Sequence, residues 1–342
     1  MEELFFRFPH LPENIFKFLN PTSSACFMQV WKSSIVDGKR YSPTKVISAF
    51  THYSVSSLKN ILQDFGNESL IKLAYDFVEV YSEFQTGTKQ TLELSRYTPL
   101  HKAAEKGLES VYELIVQDLF NHEGQNKNWY TIWHMNPKDY EEITPLHLAA
   151  KNGHLSVCEL IMEMIKKYPG NYDLNDLKED ENHDTPLHLA SKNGHLEVCQ
   201  LIISQILKTG GNVNPMNWYG MTPLYLAAKK GHYEVCVLII KNVTEKNPKI
   251  PTSGDTPLHV AALNGHLSVC ELFIENVVDK NPYNSIFTTP LHLAAEFGHL
   301  QICVLFVQKI ADQSPQNLEL ETPLCLAKKN GHDLVCELFK KL

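Results

Sequence analysis

A chain of 342 residues, 43% of them apolar, can bury a substantial core in one large or two ordinary domains. Its formal charge of -8, from 31 basic and 39 acidic side chains, argues against a general binder of nucleic acid or of anionic membranes. The start "MEELFFRFPHLPENIF" lacks the apolar heart of a signal peptide and no apolar run approaches a membrane span, so the eight cysteines are expected as reduced thiols in the cytoplasm or nucleus.

Residues 1–97 are expected to form a helical N-terminal region. Within it, "LPENIFKFLNPTSSACFMQVWKSSI" has the cadence Leu-Pro-x-x-Ile-x-x-Phe-Leu, a turn at Asn20 and Pro21, and a second apolar stretch ending at Val30. Over residues 11–35 this resembles an F-box, a short helical motif that docks substrate receptors onto a cullin-RING ubiquitin ligase. The resemblance implies that Leu11, Pro12, Ile15, Phe18, Leu19 and Val30 face the F-box-binding adaptor subunit. Trp31 departs from the pattern, standing directly after Val30 rather than a few residues later. A plain amphipathic cap gives the same periodicity, and both readings stay open. Residues 45–84 show two further helical stretches, "TKVISAFTHYSVSSLKNILQDF" and "ESLIKLAYDFVEVYSEF", which would seal the face of whatever follows; the first could equally be a degenerate copy of the repeat that follows.

From Thr98 onward the chain repeats itself. Thr-Pro-Leu recurs at Thr98, Thr144, Thr185, Thr222, Thr256, Thr289 and Thr322, at intervals of 46, 41, 37, 34, 33 and 33 residues. Each unit reads like "TPLHLAAKNGHLSVCELI". Thr suits a helix N-cap, Pro the first turn, and Gly153 a left-handed stop. The next stretch has apolar residues at 157, 158, 160, 161, 164 and 165, the face of a second helix. A pair this small cannot bury its apolar faces alone, so the units are expected to stack as an all-α solenoid, with the extra residues of the early units in loops.

T-P-L-H-x-A, A-x3-G-H and the 33-residue period resemble the ankyrin repeat over residues 98–342. The resemblance implies a non-enzymatic module that binds proteins through a groove and finger loops. Leu108, Tyr225, Cys325 and Lys328 depart from the pattern.

Histidine and cysteine recur four residues apart at His154/Cys158, His195/Cys199, His232/Cys236, His266/Cys270, His299/Cys303 and His332/Cys336. A structural zinc site needs four converging ligands, whereas residues translated from helix to stacked helix by roughly 8–10 Å run in parallel. The expectation is a turn histidine and a core cysteine, with no metal. A second series, His101, His147, His188, His259 and His292, recurs too regularly for a unique catalytic base and reads as struts between turns. No cofactor and no catalytic site are expected.

Recognition should sit where the units differ. The first of the two residues before each turn glycine reads Glu105, Lys151, Lys192, Lys229, Leu263, Glu296 and Lys329; the second reads Lys106, Asn152, Asn193, Lys230, Asn264, Phe297 and Asn330. This predicts a basic stripe running into an apolar spot at Leu263 and Phe297; lysines that merely solvate a helix end give the same pattern, and both readings stay open. The loop before Thr144 carries Trp129, Tyr130 and Trp133, and the loop before Thr222 presents Trp218 and Tyr219 ahead of Gly220. "YDLNDLKEDENHD" between them has six acids and one lysine, the composition of a solvated loop. The sequence therefore predicts a monomeric scaffold for a protein or peptide, with a ligase substrate receptor as the alternative.

Overall fold

A computed structural model of the chain describes residues 97–122, 136–167 and 182–341. Their fourteen helices fall into seven consecutive pairs, and no strand is present among the described residues. The chain divides into two compact units, Met1–Tyr140 and Glu141–Leu342. In the first unit, α1 (Pro99–Lys106) packs on α2 (Glu109–His122).

The second unit holds six pairs: α3 (Pro145–Asn152) with α4 (Leu155–Lys167), α5 (Pro186–Asn193) with α6 (Leu196–Thr209), and α7 (Pro223–Lys230) with α8 (Tyr233–Ile240). The remaining pairs are α9 (Pro257–Leu263) with α10 (Leu267–Asn276), α11 (Pro290–Glu296) with α12 (Leu300–Lys309), and α13 (Pro323–Lys329) with α14 (Asp333–Lys340). First helices stack on first helices and second on second, giving two layers. The core between them is built from one letter of the repeat at a time. Leu146, Leu187, Leu224, Leu258 and Leu291 are wholly buried, as are the small residues Ala149, Ala190, Ala227, Ala261 and Ala294 that let first helices approach.

The ends of each first helix follow from its letters. Thr takes an extended backbone as N-cap and Pro occupies the first turn. The fourth letter, His, closes a capping box in place of the usual Glu or Gln: the Thr N–H donates to His Nδ1 at 3.0 Å in Thr185–His188 and 3.1 Å in Thr289–His292. At the other end Gly153, Gly194, Gly231, Gly265 and Gly298 all lie near φ +75°, the left-handed region that stops a helix.

The extra residues of the early units do not all lie in loops. α4 and α6 run for 13 and 14 residues, against 8 to 10 in the later second helices. The sequence "LEVCQLIISQILKT" keeps its apolar face for two more turns, burying Ile202, Ile203 and Ile206, so the chain lengthens the helix instead of the connection.

The turn glycines answer a second demand. A Cβ on Gly194 would lie 2.6 Å from Nδ1 of His232 in the next pair, and the same clash recurs between Gly153 and His195 and between Gly231 and His266. Gly210, at φ +73° after α6, has nothing within 4 Å of such a Cβ. Gly210→Ala should therefore cost only the left-handed penalty of about 1 kcal/mol, whereas Gly194→Ala should cost about 3 kcal/mol because strain and overpacking combine. Urea unfolding of the two variants checks this, and equal losses would show that the histidine contact plays no part.

Candidate protein-binding surface

Both histidine series tie neighbouring pairs together through Nε2. In the Thr-Pro-Leu-His series Nδ1 accepts from the Thr N–H, so the proton sits on Nε2, which donates forward. His188 reaches the Met221 carbonyl, His259 that of Thr288, and His292 that of Glu321, each at 3.1 Å. The Gly-His series donates backward. His195, His232, His266, His299 and His332 reach the carbonyls of Lys151, Lys192, Lys229, Leu263 and Glu296 at 2.9–3.1 Å. Those acceptors are five of the seven residues that the sequence marks as the first variable position. The backbone under each is held while its side chain stays free to differ.

The fingers that precede each Thr are ordered by the same economy. Asn217, Asn284 and Asn317 each use Oδ1 to accept two N–H groups of their own turn, from Tyr219 and Met221, from Ile286 and Thr288, and from Glu319 and Glu321. Asn217 also donates to Asp184 and Asn284 to Asp255, at 2.7 and 2.8 Å. Backbone bonds join finger to finger, from Trp218 N–H to Asn182, from Ser285 to Ser253, and from Leu318 to Ile286.

Fingers and first-helix ends share one face. Lys329 at the end of α13 bonds Glu321 of its finger at 3.1 Å, and in the first unit Tyr97 donates to Glu105 at 2.9 Å across the equivalent span. On this face Lys151, Lys192 and Lys229 are exposed and Leu263 is half-buried. Phe297 is 51% exposed. Trp218 is 70% exposed, with its ring stacked on His183 at 3.7 Å, and Tyr219 beside it is also exposed.

The second variable position is less variable in purpose than its letters suggest. Asn152, Asn193, Asn264 and Asn330 donate to the carbonyl four residues earlier and so close the helix end. Lys230 and Phe297 stand where that cap is given up. Trp129, Tyr130 and Trp133, and the F-box-like Leu11, Pro12, Ile15, Phe18, Leu19 and Val30, lie outside the described residues.

Sequence reading passed over four exposed apolar residues, Ile286, Phe287, Leu318 and Leu320. A signal for them exists. The residue two before each Thr has positive φ in all six fingers of the second unit; Gly220 and Gly254 occupy it in two, Phe287 (φ 57°) and Leu320 (φ 60°) in the last two. A bulky side chain in that conformation costs about 1–2 kcal/mol, and such strain clusters at functional surfaces.

The H-x3-C pairs do not converge. His195, His232, His266, His299 and His332 are each committed to a carbonyl, while Cys158, Cys199, Cys236, Cys270 and Cys303 are fully buried. Among the described residues no cluster of three His, Cys, Asp or Glu could hold a metal ion. Nor is any described helix long and apolar enough to cross a membrane.

A family model described as ankyrin repeats (3 copies) matches in overlapping runs at residues 63–172, 100–208, 163–250, 203–284, 237–317 and 258–341, which together cover well over half of the chain. The chain belongs to the ankyrin repeat family. Its match begins before Thr98, within the stretch that the sequence suggests as capping helices. No curated protein matches the chain significantly. Ankyrin repeats form a protein–protein interaction domain, and that much of the sequence reading stands.

Two consequences of ankyrin packing can be measured. Burial holds His259 down at about 4, outweighing the Thr288 hydrogen bond that favours its charged form, and lowers His292 and His232 as well. The unfolded chain takes up protons below about pH 6.5 and the folded chain does not, so stability is complete above that pH and falls toward pH 4. His259 alone should account for about 2 kcal/mol between pH 7.5 and 5, and His259→Gln should flatten urea midpoints over that range. Burial also pushes the Cys158, Cys199, Cys236 and Cys303 thiols up to about 12, whereas a hydrogen bond from Thr322 lowers that of exposed Cys325. Alkylation of the native chain followed by peptide mapping should modify Cys325 well ahead of those four; labelling at equal rates would contradict the packing.

Proposed function

We propose that this chain is a non-enzymatic scaffold or adaptor that binds a protein or peptide through the face made by its fingers and first-helix ends. The observation that carries the reading is the division of labour at Lys151, Lys192 and Lys229. Their carbonyls are held by histidines of the next repeat, while their exposed side chains have no carboxylate partner among the described residues. A backbone already held in place has little main-chain entropy left to lose on binding. Trp218 and Tyr219, with Leu263 and Phe297, supply apolar area of the kind that dominates interfaces. The same reading extends to Trp129, Tyr130 and Trp133, which the sequence puts before Thr144, two units ahead of Thr222, and which lie outside the described residues.

A second reading rests on the Leu11 to Leu19 cadence, which lies before the ankyrin match and would make the chain a substrate receptor of a cullin-RING ligase. Recovery of cullin components that disappears with Leu19→Asp would support it.

Quantitative affinity capture with the full chain tests the first reading. Trp218→Ala with Tyr219→Ala should reduce recovered partners about tenfold, and Trp129→Ala with Trp133→Ala should act in the same direction. Glu159→Ala, on the opposite helical layer, should leave recovery unchanged. Partners lost equally with Glu159→Ala would place binding elsewhere.

A further inference from the structure

The face is not uniform along the stack, and its gradient describes the ligand. At one end Lys151, Lys192, Lys229 and Lys230 are exposed and make no ion pair with a described residue. The stripe then stops. Leu263 and Glu296 follow at the equivalent positions, and Lys329 is neutralised by Glu321 at 3.1 Å. At the other end the last two fingers carry Ile286, Phe287, Leu318 and Leu320, all exposed, and the Leu318 N–H to Ile286 carbonyl bond makes them one patch.

The two fingers just before them could not carry that patch. A Cβ on Gly254 would lie 2.7 Å from the Ser285 nitrogen of the next finger, and one on Gly220 would lie 2.4 Å from Pro251. Glycine is enforced there by the close approach of the neighbouring finger. Phe287 and Leu320 keep a conformation that glycine would adopt more easily, with their side chains in solvent. Phe287 leans on the Tyr283 ring at 5.7 Å, a contact that still leaves it 51% exposed, and Leu320 is 72% exposed.

Resting on the reading above, we infer that the occupant is an extended segment of a partner protein, with an acidic stretch over repeats two to four and apolar side chains among the fingers of repeats six and seven. Stacked helices are about 8–10 Å apart, so the three lysine positions span about 20 Å, matched by roughly six extended residues. A further 20–30 Å separates them from the apolar fingers, giving a segment of about fifteen residues in all. Charge complementarity sets which end lies where, since an acidic segment over Glu296, Glu319 and Glu321 would be repelled.

The test is selection of displayed random sixteen-residue peptides on the immobilised full chain, followed by fluorescence anisotropy of the enriched peptides. Expected peptides carry an Asp/Glu cluster separated from an apolar cluster. Lys151→Glu, Lys192→Glu and Lys229→Glu together should weaken them about 30-fold and abolish the salt dependence of binding. Phe287→Gly with Leu320→Gly, which relieves the backbone and so leaves folding intact, should weaken them about tenfold with the salt dependence unchanged. Peptides that lose affinity with Trp218→Ala yet lack an acidic cluster, or ignore the lysine reversals, would overturn this inference and leave the proposed function standing. No enrichment, or enriched peptides indifferent to every variant, would overturn both. A dimer of the full chain that Phe287→Gly with Leu320→Gly dissociates would assign the patch to a second copy and overturn the peptide assignment.

Discussion

The fold depends on an imidazole wedged into the space that a missing Cβ leaves. Gly153, Gly194, Gly231, Gly265 and Gly298 are each required by their left-handed backbone and again by the ring of the next repeat's histidine, which would overlap any side chain there. From that place the ring donates Nε2–H to a carbonyl one repeat back. Donor and acceptor satisfy each other across the repeat boundary, in surroundings that run from exposed to part-buried. The bond fixes the distance and rotation between successive units, which apolar contact alone, being non-directional, would leave loose.

That constraint explains how a repeating scaffold can carry a non-repeating surface. The backward struts end on the carbonyls of Lys151, Lys192, Lys229, Leu263 and Glu296, and the forward struts end on Met221, Thr288 and Glu321 at the bases of the fingers. Both edges of the candidate binding face are thus held through main-chain atoms. Side chains at these positions can change from Lys to Leu to Glu without disturbing the stack.

The all-α stack was legible because its determinants are local and repeat. Thr, Pro and Gly have preferred places at helix ends, and the alternation of apolar and polar letters shows which way each helix faces. The strut role of the first histidine series was legible from its recurrence, but the second series read only as a turn residue. Its partner lies a whole repeat away, from 36 to 44 residues, and no local pattern connects the two. The Asn caps were hidden for a different reason: asparagine before glycine suggests a turn, and only geometry shows Asn152 closing the helix behind it. Phe287 and Leu320 escaped notice because aligning on Thr-Pro-Leu-His draws the eye to what recurs, while they stand where a recurring glycine is missing.

The positions of those two residues follow from the struts. Phe287 immediately precedes Thr288, whose carbonyl is held by His259, and Leu320 immediately precedes Glu321, held by His292. A strained residue persists only where its surroundings over-determine it, and here the next peptide is clamped by the preceding repeat. One repeat earlier both the clamp and the space are missing, since a Cβ on Gly254 would meet Ser285. Tyr225 replaces the histidine, no described strut reaches Asp255, and the finger before Thr256 uses Gly254, which needs no clamp. The imidazole clamp underlies both fingers that hold a large apolar side chain out to solvent, but space decides as well: His188 clamps the Met221 carbonyl in the same way, and there the approach of Pro251 keeps Gly220 a glycine.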